Sequence, residues 1–470
     1  MGHKAEIDTP IEAGQEELAS LTAGRSMPRF DAVLAGIPRG VGEQGAATVL
    51  DLASRLSDGA ELVLYGDMVD LARLHCRMPR RAKYHLCVAV RSAPYTSAAG
   101  IVPHGHRGLV FYGINVPVLH HSRVRIAYEY CPACGKTTKD YGGRKHLYDS
   151  YGTLMSDVWK DFSVAPDDLT PREVVNRVRD MLSCGERQRM AVVKLHLDED
   201  HSLRPVVPTH VRNARLLEPD TSVESELLSR GKLLRGDVLH VLGRIPANHV
   251  DLAFADPPYN LAKRYSGYDD RVDVQEYFAW CDTWLSEYLR VLKPGGILAV
   301  VNIPLWTMRH LAHLDTTAEF CNWVVWDAMS MPVRNIMPSH YAILLYRKRN
   351  TDTHAAHGGL CIQEVNQRDV NEVLPLPIGY CRRPGCIGGR RVDETIGTLT
   401  DLWTDTDRLK HNTLRWDHPC QLPSALLRRI IACTTSPESL VLDAFNGIGT
   451  TTLVAQQMDR RFIGGEISEE

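Results

Sequence analysis

Four consecutive residues, Asp256-Pro257-Pro258-Tyr259, follow the apolar run "VDLAFA" and join an acid, two rigid rings and an aromatic face. Proline cannot donate to a sheet ladder, so the strand must stop at Asp256 and the chain continues as a stiff turn. Asp256 accepts hydrogen bonds, and the Pro257 carbonyl is a second acceptor. An exocyclic amine on a nucleobase is a poor nucleophile, because its lone pair is delocalised into the ring. Two acceptors holding its two N–H bonds favour a pyramidal nitrogen whose lone pair points at an electrophile. That is rate enhancement by positioning and electrostatics. Tyr259 would stack on the base, as a base taken out of a duplex requires. Taken alone, the tetrad reads equally well as a structural turn.

A second group is "DAFNGIGTT". Gly447 and Gly449 fall between a strand and a helix, where missing Cβ atoms let a ligand approach the backbone. Asp443 ends the strand before them. Glu466 ends another strand about twenty residues later, the spacing at which an acid holds ribose hydroxyls. A lone Gly-x-Gly would be a plain turn. With Asp443, Phe445 and Glu466 in register it reads as a nucleoside-cofactor site.

These groups need a frame to hold them. In the rear half, "KLLRGDVLHVL", "VDLAFA", "ILAVVNI", "CNWVVWDA", "YAILLYRK", "SLVLDAF" and "RFIGGEI" supply strands. "VQEYFAWCDTWLSEYLRVLKPGG", "LPSALLRRIIACT" and "TTLVAQQMD" have helical apolar spacing. Strands alternating with helices predict a doubly wound, mostly parallel α/β sheet covered on both faces. Such sheets bind ligands at the carboxyl ends of their strands.

The front half reads as a worn copy of the same pattern. "FDAVLAGIPRG" lies against "VDLAFADPPYN", "RLSDGAELVLY" against "VLKPGGILAVV", and "YEYCPACGKTTKDYGG" against "IGYCRRPGCIGG". "GTLMSDVW" matches "GTLTDLW", and "TPREVVNRVRDMLS" matches "LPSALLRRIIACT". The matches are collinear, which points to an internal duplication. Gly36, Ile37 and Arg39 replace Asp256, Pro257 and Tyr259. The copy therefore carries the fold without the chemistry. The expected organisation is a mobile tail (1–27), a degenerate α/β domain (28–185), a connector (186–229) and a catalytic domain (230–470) with an insert at 350–417.

The tetrad Asp256-Pro257-Pro258-Tyr259, followed by Phe445-Asn446-Gly447-Ile448-Gly449, resembles the amino-methyltransferases of DNA. The order of the two motifs is that of the family's beta group. The resemblance runs from Lys232 to Glu470. It implies a Rossmann-like methyltransferase sheet, S-adenosyl-L-methionine as cofactor, and a flipped base held by the tetrad. It assigns cofactor contacts to Asp237, to His418 and Gln421 of "HPCQLP", and to the Phe445–Gly449 loop. Leu422 and Ala444 depart from the family's usual lysine and proline. The chain ends at Glu470, where relatives continue in a helix. Aspartate at the head of the tetrad more often accompanies adenine N6 than cytosine N4, so a site-specific adenine-N6 DNA methyltransferase is expected. An N4-cytosine enzyme, an RNA amino-methyltransferase and a non-catalytic binding protein are the alternatives. DNA is the expected partner, with a restriction or defence partner consistent with the class.

A formal net charge of −3 gives no global nucleic-acid signature, so DNA contact must be local. Arg382, Arg383, Arg390 and Arg391 cluster where the family places its target-recognition segment, and they are candidate phosphate contacts. No apolar run approaches the length of a membrane span. Twelve cysteines without a secretion signal suit a cytoplasmic protein with reduced thiols or metal ligands. Cys131 and Cys134 form a Cys-x2-Cys knuckle, and Cys381 with Cys386 a looser pair at the matching place. A two-fold-like pairing of the copies would bring both together around a structural zinc. Two unrelated thiol pairs are the alternative.

Overall fold

The computed structural model describes residues 11–12, 30–139, 145–183, 190–195, 231–261, 264–265, 268–269, 271–328, 335–349, 374–389, 396–409 and 421–468. In chain order the front strands are β1 (Ile11–Glu12), β2 (Ala32–Gly36), β3 (Glu61–Gly66), β4 (Ala82–Tyr95), β5 (His104–Ile114), β6 (Arg125–Ala127), β7 (Gly152–Leu154), β8 (Val158–Val164) and β9 (Met190–Lys194). The rear strands are β10 (Gly231–Arg235), β11 (Val250–Ala255), β12 (Arg264–Tyr265), β13 (Tyr268–Asp269), β14 (Leu292–Asn302), β15 (Ala318–Asp327), β16 (His340–Lys348), β17 (Leu402–Trp403), β18 (Leu440–Asp443) and β19 (Arg461–Glu466). β6 pairs with β7, and β12 with β13, in small two-stranded ladders.

The rear sheet has the order β10-β19-β18-β11-β14-β16-β15-β17. Its centre is parallel, and β16 runs antiparallel between β14 and β15. This is a doubly wound, Rossmann-like α/β sheet. β11 lies at its middle with Leu252, Phe254 and the alanines buried, because helices cover both faces. One of them, Val274–Val291, is capped by Asp273, whose carboxylate accepts from the Gln275 and Glu276 amides. It buries Tyr277, Trp284 and Tyr288 against the sheet.

The front sheet has the order β1-β9-β2-β3-β5-β4-β8. From β9 to β8 it repeats the rear series β18-β11-β14-β16-β15-β17 strand for strand and sense for sense. Register agrees as well. Ala32 pairs with Glu61 as Leu252 pairs with Ile297, and Val90 pairs with Trp159 as Trp326 pairs with Trp403.

Two expected boundaries change. β9 lies within the segment read as connector, and β1 within the segment read as a tail; both complete the front sheet. Short strands of this kind owe their existence to partners distant in sequence, so local pattern does not reveal them. The described part of the 350–417 insert contains the short helix Pro384–Gly388 and β17, which extends the rear sheet.

The halves share one apolar cluster that includes Leu71 and Tyr112 of the front and Met308 and Tyr346 of the rear. Across it, helix Met68–His75 packs on helix Pro304–Leu314, and the Arg73 guanidinium donates to Asp315 at 2.7 Å. Two reciprocal contacts flank that seam. Asp401 accepts from the Gly105 amide at 2.7 Å, and Asp157 accepts from the Ser339 amide at 2.7 Å. The Asp401 amide reaches the Pro103 carbonyl, and the Asp157 amide the Met337 carbonyl. No helix among the described residues is long and apolar enough to cross a membrane.

Candidate active site

β11 and β18 run side by side with Phe254 opposite Asp443, so both chains leave the sheet at the same edge. From there the connections diverge, β18 leading to β19 and β11 to β14, which makes this edge the topological switch point. Asp256 stands one residue past β11. Its Oδ1 accepts from the Tyr259 hydroxyl at 2.6 Å, a short charge-assisted bond. Tyr259 is only 6% exposed, with its ring 6.2 Å from that of Tyr341. The ring expected to stack on a base is thus tucked beside the carboxylate it bonds.

Neighbouring groups fix the turn. Tyr277 donates to the Pro258 carbonyl at 2.8 Å, and Trp306 Nε1 to the Tyr259 carbonyl at 2.8 Å. Asn260 adopts φ +53° and exchanges two hydrogen bonds with the Val272 backbone. Among the described residues the Pro257 carbonyl accepts no hydrogen bond. Asp256 and that carbonyl are thus two acceptors on consecutive residues of the turn. Sequence reading did not single out Tyr277, Trp306 or Tyr341, because they come from elements remote from the tetrad.

The glycine loop borders the same edge. Gly449 sits at φ +82° and opens helix Thr450–Gln457; Gly447 has φ +50°. The Gly447 amide donates to Glu466 at 2.7 Å, and the other Glu466 oxygen accepts from the Ile467 and Ser468 amides. Gly464 is equally constrained, since a Cβ there would lie 2.6 Å from the Asn446 amide nitrogen. The Gly-Gly pair before Glu466 was the available signal for it. Phe445 packs edge-on against Trp280 and Trp284, which anchors the loop.

Three carboxylates meet here. Burial pushes Asp443 up to about 7; the Thr451 hydroxyl and Phe445 amide oppose this, and the charges of Asp256 and Glu466 add to it. A cradle of glycines lined by carboxylates that repel one another fits a nucleoside carrying positive charge.

The other expected residues make contacts of their own or lie outside the described residues; Asp237 leaves the sheet beside Glu466, where the Gly236 amide donates to the Glu466 carbonyl at 2.9 Å. Asp237 caps helix Val238–Gly243 by accepting from the Leu239 amide at 2.9 Å. Gln421 is half-buried just ahead of helix Ser424–Thr434. His418, Arg390 and Arg391 lie outside the described residues. Arg382 pairs with Asp407 at 2.7 Å. Arg383 reaches the front half, donating to the Thr137 and Lys139 carbonyls at 2.8 and 3.4 Å. That guanidinium is engaged in joining the halves.

The four expected cysteines come together, with Cys131 and Cys134 from the front and Cys381 and Cys386 from the rear. Burial opposes ionisation of Cys131, yet amides of Cys381, Cys134 and Ala133 outweigh it and bring the thiol down to about 6. Cys381 is lowered too, against burial, by the Arg383 amide and the facing thiols.

A family model described as DNA methylase, of the N6/N4 class, matches residues 250–470. Over those residues the rear half is thus similar to DNA methylases of the N6/N4 class. Over 250 residues the chain is 33% identical to the type II methyltransferase M.BamHI of Bacillus amyloliquefaciens, covering 50% of this chain and 54% of that one. The chain thus spans about half the length of that relative. It is 29% identical over 251 residues to the DNA adenine methyltransferase YhdJ of Escherichia coli (strain K12), covering 51% of this chain and 79% of YhdJ. Among solved structures, the cytosine-N4-specific PvuII DNA methyltransferase aligns with 52% of this chain and 83% of its own, at 18% identity and TM-score 0.36.

Proposed function

We propose that the protein is a site-specific DNA methyltransferase that moves a methyl group from S-adenosyl-L-methionine to adenine N6. The observation that carries this reading is Asp256 at the switch-point edge, in a turn braced by Tyr277 and Trp306, beside the carboxylate-lined glycine loop.

The described residues that would hold the cofactor are Asp237, Gln421, Asp443, Phe445, Asn446, Gly447, Gly449 and Glu466. The cofactor supplies an electrophilic methyl group on a positively charged sulfur. Glu466 is set to accept from ribose hydroxyls, and the nearby carboxylates favour the positive charge before transfer. A flipped adenine presents two N–H bonds to Asp256 and the Pro257 carbonyl. Held so, the nitrogen directs its lone pair away from the ring plane. For the amine to reach Asp256, the Tyr259 hydroxyl yields its bond, which frees the tyrosine to move against the base face. The proton on the methylated nitrogen leaves through Asp256 or to water.

Aspartate at position 256 favours adenine over cytosine. The front half, with the same strand order and an altered strand end, is read as a second, non-catalytic copy that takes the place of a partner subunit on DNA. Labelled S-adenosyl-L-methionine incubated with unmethylated genomic DNA, followed by digestion and mass analysis of nucleosides, tests the assignment. Label in N6-methyladenine is expected. Label in N4-methylcytosine would overturn the base, and no label with cofactor binding intact would overturn the substrate.

A further inference from the structure

We propose that Cys131, Cys134, Cys381 and Cys386 hold one zinc ion as a closed tetrathiolate that staples the front half of the chain to the rear half.

All four sulfurs lie within 4.8 Å of one another. Two contacts cross between the halves, Cys131 to Cys386 at 3.7 Å and Cys134 to Cys381 at 3.6 Å. Zinc bonds thiolate sulfur at about 2.3 Å, so a regular tetrahedron around it has edges of about 3.8 Å. A disulfide needs about 2.05 Å, so the spacing fits a shared cation and not oxidised pairs. None of the nine described cysteines is in a disulfide, and only these four gather.

The backbone is built for ligation. In the front knuckle the Cys131 amide donates to the Lys136 carbonyl at 2.7 Å, and the Gly135 amide to the Cys131 carbonyl at 2.8 Å. Gly135 has φ +67° with open space where a Cβ would stand, so the turn requires that conformation more than it requires room. In the rear knuckle the Cys386 and Ile387 amides both reach the Arg383 carbonyl at 2.9 Å. Arg383 then extends its guanidinium to Thr137 and Lys139, the strands of backbone just past the front pair. Four sulfur ligands leave no open position, so the ion would be structural and would not bind substrate. Each half brings only two ligands, too few to hold zinc alone. The site exists only when the halves are docked, and metal affinity becomes docking energy.

Elemental analysis of the full-length protein, purified without chelator, should find about one zinc per chain, and X-ray absorption should find about four sulfurs near 2.3 Å. A mercurial should release that zinc. Cys134→Ser and Cys386→Ser, one from each half, should each lose most of it, and equal loss from either half is the signature of a shared ion. Zinc below about a tenth of an equivalent after refolding with zinc present would overturn the proposal. So would a sulfur count of two, or full zinc retention by either variant. The readout is metal, so the result stands apart from methyl transfer.

Discussion

Gly36 and Asp256 occupy the same place in two sheets of the same order, one residue past or at the end of the second strand of each repeat. In the rear half that place opens toward the glycine loop. In the front half it is closed. A Cβ at Gly36 would lie 2.2 Å from the Leu169 carbonyl oxygen, because the chain before helix Arg172–Met181 crosses the strand end. Where Tyr259 stands in the rear, the front has Arg39, which stacks 3.7 Å over Tyr95 and pairs with Asp67 and Asp167. The buried Arg107 also binds Asp67 and fills the interior behind it. Backbone and an ion-pair cluster occupy the place that is open in the rear.

Swapping the two residues breaks this comparison most severely. Gly36→Asp should leave little folded protein. Even Gly36→Ala should cost about 2–3 kcal/mol, as overpacking against rigid backbone does. Asp256→Gly should change the melting temperature little, since Asp256 is partly exposed at a sheet edge. Thermal melts of the three proteins check this, and a stable Gly36→Asp protein would refute the closed-site account.

The reciprocal aspartates differ next most. Asp401 is held below the usual range: burial opposes it, and His106 and His104 overcome burial. Asp157 is pushed up to about 7 by burial, with the Ser339 and His340 donors opposing and Asp327 adding to the rise. Asp401→Asn should therefore cost about 2–3 kcal/mol, because it leaves buried histidine without its counter-charge. Asp157→Asn should cost about 1 kcal/mol.

The pH signs follow from linkage. His104 is raised, since Asp401 outweighs burial; its contribution is full below its unfolded pKa and fades as pH rises through the folded one. Asp157, also raised, favours the folded state at low pH, an advantage lost between the ordinary aspartate value and about 7. Denaturant titrations should show stability falling from pH 5 to pH 8, with a smaller fall in His104→Gln and in Asp157→Asn.

At the rear edge, Asp443 gives a gentler test. Because its pKa is about 7, affinity for a cationic cofactor should rise as pH climbs and the carboxyl ionises, by about tenfold from pH 6 to 8. Asp443→Asn should bind more weakly with a flat profile, which calorimetry at several pH values would reveal. The smallest effect belongs to Arg382→Ala. Among the described residues its ion pair is with the half-exposed Asp407, so its loss should move stability by less than about 0.5 kcal/mol.

Much of this is legible in the sequence. The proline turn, the glycine loop and the alternation of strands and helices are local chemistry, and they place Asp256, Gly449 and Glu466 at one edge. Matched segments were readable too, and the two sheets place them in matching register, Trp159 with Trp403 above all. The pairing of Cys131 and Cys134 with Cys381 and Cys386 was readable for the same reason. What was not legible depends on contacts between distant segments: Leu169 over Gly36, the Tyr259 bond to Asp256, Arg383 turned toward the front half, and β1 and β9 at the front sheet's edge. Residue type alone carries no record of such neighbours.

The central claim is that the rear strand end alone performs methyl transfer. Single-turnover transfer from labelled S-adenosyl-L-methionine to unmethylated DNA, measured for the wild type and Asp256→Ala at matched cofactor occupancy, tests it directly. The account predicts a fall of about 10³-fold or more with cofactor affinity retained. Transfer by Asp256→Ala at the wild-type rate would contradict it.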